Sequence, residues 1–177
     1  MKVTYDIQPI EPSDSSRRER EKKAVGMLIQ KNIAPEARIS HLPNGAPFIS
    51  GSSLSISISH SMHYAALAWG EEDGFGIDIE EPRKQQIEQV AHRFLSKEEQ
   101  IFYSNEPDGL LKAWTLKEAA FKAVKNGPPN FKEYHLPIAE GDNCILLGHR
   151  RLLILFSGMI QDDLCLAIVA CDPKKAS

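Results

Sequence analysis

The stretch Gly76-Ile77-Asp78-Ile79-Glu80 places two carboxylates two positions apart within an otherwise apolar segment. On a β-strand, side chains two residues apart point to the same face, so Asp78 and Glu80 would project together. The two isoleucines would face the opposite way and anchor the strand in the core. An Asp-x-Glu pattern on a strand is usually only its solvated face, so this stretch alone does not indicate a site.

A second stretch lies further along the chain: Trp114-Thr115-Leu116-Lys117-Glu118-Ala119-Ala120-Phe121-Lys122. On a helix, Glu118 and Lys122 lie one turn apart on the same face. Trp114 and Phe121 give the helix an apolar stripe, and Glu118 lies near the edge of that stripe. Taken alone, Glu118 and Lys122 would be an ordinary surface ion pair of small energetic weight.

Together, the two stretches predict a metal site. If the strand and the helix pack against each other, Asp78, Glu80 and Glu118 converge beside the ammonium of Lys122. Oxygen ligands of this kind suit a hard divalent cation, above all Mg²⁺, and a neighbouring lysine suits phosphate oxygens.

A third stretch, residues 54–59, alternates apolar residues with serines and runs into His60. This period of two predicts a strand with one buried face. Two interpretations of its polar residues stay open. Ser59 and His60 could receive phosphate oxygens at the strand end, or the serines could solvate an outer face while His60 caps a turn.

The order of these motifs resembles that of the 4′-phosphopantetheinyl transferase superfamily. The closer similarity is to the surfactin-synthetase-activating type, which carries a Ser-His-Ser motif ahead of the Gly-Ile-Asp motif. The segments that carry the resemblance are Ser57-Ile58-Ser59-His60-Ser61, the Gly76 to Glu80 stretch, Arg93-Phe94 and the Trp114 to Lys122 stretch. Asn44-Gly45-Ala46-Pro47-Phe48 also resembles that type's Gly-Lys-Pro segment, with Ala46 where lysine is usual.

The resemblance implies an α+β fold of two similar small lobes, the first one abbreviated. We expect lobes at residues 1–72 and 73–177, with coenzyme A (CoA) in the cleft between them and a compact monomer. The implied activity is that of a holo-[acyl-carrier-protein] synthase. It would move 4′-phosphopantetheine from CoA to a serine of an apo acyl or peptidyl carrier protein, release 3′,5′-ADP and depend on Mg²⁺.

The resemblance also implies roles for individual residues. Asp78 and Glu118 would hold Mg²⁺, with Glu80 completing the shell directly or through water. The general base would be Glu118 or a water held by Glu80. Lys122 would stabilise charge on the leaving group, and Lys117 could also contact phosphate.

Further contacts to CoA are expected from the first lobe. Ser59 and His60 match positions that meet the 3′-phosphate of CoA in the family. A predicted helix at residues 17–32 begins with a strongly basic run, which is either a solvated face or a site for the phosphates of CoA. Its candidates for phosphate binding are Arg17, Arg18 and Lys22.

Composition agrees with a globular enzyme. The 177 residues are 42% hydrophobic and 25% charged, which is ordinary for such a chain. The net charge of −3 argues against a nucleic-acid binder. We expect a cytoplasmic protein with no membrane association, because no apolar run of transmembrane length and no signal peptide are evident. The three cysteines have no metal-ligand spacing.

Two other functions remain open. A Mg²⁺-dependent nuclease or phosphohydrolase could also use clustered Asp, Glu and Lys, although the acidic net charge and the Ser-His-Ser motif weigh against it. A non-catalytic module that binds carrier proteins or CoA is the second, and the complete set of metal-site carboxylates weighs against that. Metal-dependent turnover and the identity of the product would separate the three.

The secondary structure predicted around these motifs is mixed. Ser96 with Glu99 three residues later predicts a capping box at the start of a helix. Further helices are expected at 17–32, 84–92 and 110–125. Strands are expected at 2–7, 38–42, 54–59, 64–69, 75–80, 144–147, 152–156 and 164–171, with a weaker one near 131–135.

Overall fold

The computed structural model describes residues 1–82, 84–139, 141–161 and 163–172, with residues 84 and 85 described in their backbone only. The chain forms two compact units, Met1–Asp73 and Gly74–Ser177. The first contains β1 (Thr4–Pro9), α1 (Arg17–Asn32), β2 (Ile39–His41), β3 (Pro47–Ile49), β4 (Ser55–His60) and β5 (Tyr64–Gly70).

The first unit packs one helix on a three-stranded antiparallel sheet of order β1-β5-β4. Helix α1 begins at a capping box, in which the Ser16 hydroxyl accepts from the Glu19 amide and the Glu19 carboxylate accepts from the Ser16 amide. Leu28 and Ile29 of α1 are buried in one apolar cluster with Leu67 of β5. Strands β2 and β3 form a separate two-stranded sheet.

The polar face of β4 is not an outer face. Ser57 and Ser59 are each only 5% exposed, whereas Ile58 between them is partly exposed. The alternation of residues 54–59 therefore predicts the strand but not the burial of its faces, since β4 is shielded on both. The interpretation that these serines solvate an outer face is wrong, and His60 alone ends the strand in an exposed position.

The second unit carries a larger sheet and three helices. Its elements are β6 (Phe75–Glu80), α2 (Lys84–Phe94), α3 (Lys97–Ser104), α4 (Gly109–Val124), β7 (Tyr134–His135), β8 (Cys144–Leu147), β9 (Arg150–Gln161) and β10 (Leu164–Cys171). The five strands are antiparallel in the order β6-β10-β9-β8-β7.

Helix α4 packs closely against β6 because the residues between them are small. Its buried face includes Ala113, Ala119 and Ala123. On the strand, a Cβ at Gly76 would collide with the Ala119 carbonyl and would lie 2.8 Å from the Lys122 Cβ. Gly76 thus lets the strand that carries Asp78 and Glu80 approach the helix that carries Glu118 and Lys122.

The predicted α+β fold class is confirmed, with differences at particular elements. The capping box that begins α3 is present, with Ser96 and Glu99 bonded as expected. Strand β9 is longer than the predicted 152–156, because it continues through Ser157 and Gly158 opposite β10, across two register shifts. Strand β3 was not predicted. No helix in the ranges that the structure describes is both long and apolar enough to span a bilayer.

Candidate active site on β6 and α4

The centre of the candidate site is an ion pair between β6 and α4. The Lys122 ammonium donates to Asp78 Oδ1 at 2.7 Å and to the Ile77 carbonyl at 3.1 Å. Asp78 is only 4% exposed, whereas the Lys122 side chain keeps contact with solvent. A buried carboxylate is tolerable because this cation and its hydrogen bond accompany it.

Glu118 lies within the same electrostatic cluster. The pKa of Glu118 is raised to about 7, chiefly by burial; the charges of Asp78 and Glu80 also act to raise it, and Lys122 opposes them. The strand and the helix therefore bring the carboxylates of Asp78, Glu80 and Glu118 together beside one lysine. Neighbouring carboxylates make the site negative, which favours the binding of a cation there.

Glu80 has a partner that the sequence did not suggest. The indole Nε1–H of Trp114 donates to Glu80 Oε1 at 2.9 Å. The same indole ring packs edge-on against Phe94 at 5.0 Å and is tilted against Phe131 at 5.5 Å between ring centroids. Trp114 packs against the core cluster of this unit and is partly buried, with its indole N–H on a site carboxylate. The one signal for this was its place one turn before Glu118.

The three carboxylates fit Mg²⁺ in donor type but are not arranged as a ready-made shell. Among the residues that the structure describes, no three His, Cys, Asp or Glu side chains form a group that could hold a metal ion as they stand. Lys122 engages Asp78, and Trp114 engages Glu80. Metal binding at Asp78 Oδ1 would therefore require the Lys122 ammonium to move away from that oxygen.

Lys117 does not face this cluster. Its side chain is fully buried at 0% exposure, and its ammonium donates to Glu99 Oε2 at 2.8 Å and to the Phe131 carbonyl at 3.1 Å. Burial lowers the pKa of Lys117, and the bond to Glu99 opposes that change. An ammonium enclosed in this way has no free path to a phosphate, so the expected contact between Lys117 and CoA is withdrawn.

In the first unit, Glu21 contacts two of the residues predicted to bind CoA, Arg17 and His60. Arg17 Nε donates to Glu21 Oε1 at 2.6 Å, and His60 Nδ1 lies 3.4 Å from the same oxygen. Ser59 is buried beside His60 on β4. Sequence reasoning did not single out Glu21, although it lies one turn after Arg17 in α1.

The other basic residues of α1 point in different directions. Arg18 and Lys22 are exposed on its outer face. Arg20 and Lys23, which belong to the same basic run, line a surface cavity of about 360 Å³ beside the end of β1. The Nε atom of Arg20 is buried there and bonds to no group in the described part of the chain.

Comparison with known proteins identifies the class. The profile of the 4′-phosphopantetheinyl transferase superfamily matches residues 74–168, which is more than half of the chain. The chain belongs to this superfamily, and it is a transferase of that general kind. The matched region contains all four residues of the β6–α4 cluster. No curated protein matches the chain.

Proposed function

We propose that this protein transfers 4′-phosphopantetheine from CoA to a serine of an apo acyl or peptidyl carrier protein and releases 3′,5′-ADP. The observation that carries the proposal is the cluster of Asp78, Glu118 and Lys122 across β6 and α4, inside the region that matches the superfamily. The Ser-His-Ser motif ahead of the Gly-Ile-Asp motif supports the surfactin-synthetase-activating type.

The reaction joins the serine oxygen to the β-phosphorus of CoA and breaks that phosphorus atom's bond to 3′,5′-ADP. It needs a proton acceptor, charge stabilisation and in-line positioning. Mg²⁺, held by Asp78, Glu118 and Glu80, would supply charge neutralisation on the pyrophosphate. Lys122, whose ammonium lies 2.7 Å from Asp78 Oδ1, would share that role toward the oxygen that leaves with 3′,5′-ADP.

Two groups can accept the serine proton. The pKa of Glu118, raised to about 7, suits proton transfer near neutral pH. A water held by Glu80 is the other candidate, and the Trp114 indole would fix the carboxylate that orients it. The proposal includes both groups as candidates for the general base.

The proposed CoA contacts in the first unit are Ser59, His60 and Arg17, with Arg18 and Lys22 on the outer face of α1. His60 can donate to a 3′-phosphate whether or not it is protonated. Glu21 would hold both Arg17 and His60 in place toward that phosphate. We further propose a monomeric, cytoplasmic enzyme.

The decisive experiment is intact-mass spectrometry of an apo carrier protein incubated with this protein, CoA and Mg²⁺. A gain of one phosphopantetheine group that EDTA abolishes supports the proposal. CoA binding without a mass gain on any fatty-acid, polyketide or peptide-synthetase carrier would favour a binding module instead. Mg²⁺-dependent cleavage of CoA or nucleic acid, with no transfer, would favour the hydrolase alternative.

A further inference from the structure

Lys117 and Glu99 form a buried ion pair in the second unit, and each of them makes further hydrogen bonds. Besides Lys117, the Glu99 carboxylate accepts the Ser96 amide at 2.8 Å on Oε2 and the Leu136 amide at 2.6 Å on Oε1. Lys117 adds the carbonyl of Phe131. One ion pair therefore joins three parts of the chain: the first turn of α3, the middle of α4 and the segment after α4.

Helix α4 connects this ion pair to the candidate active site. Lys117 precedes Glu118, so the two side chains leave α4 about 100° apart. Whatever fixes the rotation of α4 at Lys117 also fixes the direction of Glu118 and of Lys122. A rotation of roughly 10° about the helix axis would move a carboxylate about 6 Å from that axis by about 1 Å, which is enough to impair catalysis strongly.

The ion pair adds to the other contacts that hold α4 on β6. Trp114 donates to Glu80 and Lys122 donates to Asp78, both on the strand. The N-terminus of α4 has no side-chain cap, and Asp108, with a φ of 54°, accepts the Lys112 amide through its backbone carbonyl. Lys117 ties the middle of the helix to α3 and to the segment after α4.

We infer that Lys117 and Glu99 are positioning residues, which lock the rotation of α4 so that Glu118 and Lys122 face Asp78 on β6. The inference rests on the proposed function for its catalytic consequence, but its structural consequence can be measured without turnover. A buried ion pair is weak support for stability, because apolar or neutral groups of similar volume often replace it without loss. Neutralising both residues therefore separates positioning from folding.

The test uses the double variant Lys117→Met/Glu99→Gln in the full chain. Methionine keeps most of the lysine volume, and glutamine keeps an acceptor for the Leu136 amide. The matched control is Lys132→Met, which removes an exposed lysine close enough to act on Lys117 electrostatically. Circular dichroism first establishes that each variant is folded.

The first measurement is the ¹H–¹⁵N spectrum of the two tryptophan indoles. Trp114 bonds to Glu80 across α4 and β6, whereas Trp69 lies in β5 of the other unit and serves as an internal reference. We expect the Trp114 indole resonance to move by more than its linewidth in the double variant and to stay in place in the control. An unmoved Trp114 resonance in a folded double variant would overturn the inference.

The second measurement is steady-state transfer to an apo carrier protein. We expect kcat to fall roughly tenfold to a hundredfold with little change in KM for CoA, because displaced side chains impair the transition state more than ground-state binding. Unchanged kcat in the folded double variant contradicts positioning. If the wild-type protein itself shows no transfer, the proposed function fails, and the indole spectrum still decides the inference. Where this double variant does not fold, Lys117→Gln/Glu99→Gln, which keeps a hydrogen-bonding pair without charge, takes the same two measurements.

Discussion

Lys122 and Asp78 form a 2.7 Å ion pair at the point where the candidate metal ligands converge. The ammonium therefore occupies an oxygen of the buried carboxylate that the proposed Mg²⁺ would also bind, so we expect the two cations to compete. This competition would make the effects of Lys122 on metal binding and on catalysis opposite in sign.

Replacing Lys122 by methionine should strengthen metal binding and impair transfer. Removal of the ammonium takes a competing cation away from Asp78 Oδ1 and leaves the cluster more negative, so we expect Mn²⁺, a probe for Mg²⁺, to bind about tenfold more tightly. Transfer should fall because the leaving group loses its cation. Electron paramagnetic resonance of free Mn²⁺ and a mass assay of transfer measure the two effects. Weaker Mn²⁺ binding in Lys122→Met would show that Lys122 does not compete with the metal.

Asp78→Asn should abolish transfer while the chain remains folded. Asparagine keeps the size of the buried side chain and an acceptor for Lys122, but it removes the charge that a metal needs. The matched control is Glu133→Gln, an exposed carboxylate outside the cluster. Normal transfer by folded Asp78→Asn would remove Asp78 from the metal set.

Glu118→Gln should stabilise the metal-free protein at alkaline pH and abolish transfer. The pKa of Glu118 is raised to about 7 from 4.5, so its contribution to stability is greatest below pH 4.5 and is lost as the pH rises through 7. The melting temperature of Glu118→Gln should therefore exceed that of the wild type by more at about pH 8 than at about pH 5. Both are measured in EDTA. An equal difference at the two values would contradict the crowding of charge at this site.

Trp114→Phe should lower transfer while Trp69→Phe leaves it unchanged. Phenylalanine retains ring packing against Phe94 but cannot donate to Glu80, and the loss should cost about 1–2 kcal/mol of stability. We expect a higher Mg²⁺ concentration for half-maximal transfer, because Glu80 loses its bond to the indole. An unchanged Mg²⁺ requirement in folded Trp114→Phe would show that the indole bond has no part in the site.

The sequence was sufficient to predict the strand and the helix that bring Asp78 and Lys122 together. The Gly-Ile-Asp-Ile-Glu stretch predicts a strand, and the spacing of Glu118 and Lys122 predicts that both lie on one face of a helix. The small residues Gly76 and Ala119 explain why the strand and the helix can pack together. Local periodicity carries this information because each motif lies within a single element.

The partners that come from elsewhere in the chain could not be predicted in the same way. Lys117 points to Glu99 of α3 and Trp114 points to Glu80 of β6, and both contacts depend on how separate elements pack. The burial of Ser57 and Ser59 was likewise missed, because alternation of polarity does not disclose that both faces of a strand are shielded. Tertiary packing thus decides which polar residues of a motif reach the site.

The packing of the first unit can be tested separately, through the hydrogen bonds of Asp6. Asp6 Oδ2 accepts from Lys31 Nζ at 2.9 Å and from Asn32 Nδ2 at 2.8 Å, which ties β1 to the end of α1. Partial burial acts to raise the pKa of Asp6, but these hydrogen bonds and the Lys31 charge outweigh it and leave the pKa lowered.

Asp6→Asn should therefore destabilise the protein at neutral pH and not in acid. A carboxylate with a lowered pKa in the folded state stabilises the fold above its unfolded pKa, near 3.8, and loses that contribution as the pH falls through the folded value. Because the pair is largely solvated, we expect a loss of only about 0.5–1 kcal/mol at neutral pH. Urea unfolding at a series of pH values measures it. The wild type and Asp6→Asn should converge only once the pH falls below the lowered pKa of folded Asp6, since protonated Asp6 can no longer hold Lys31. A constant difference across the series would mean that Asp6 acts through its shape and not through its charge.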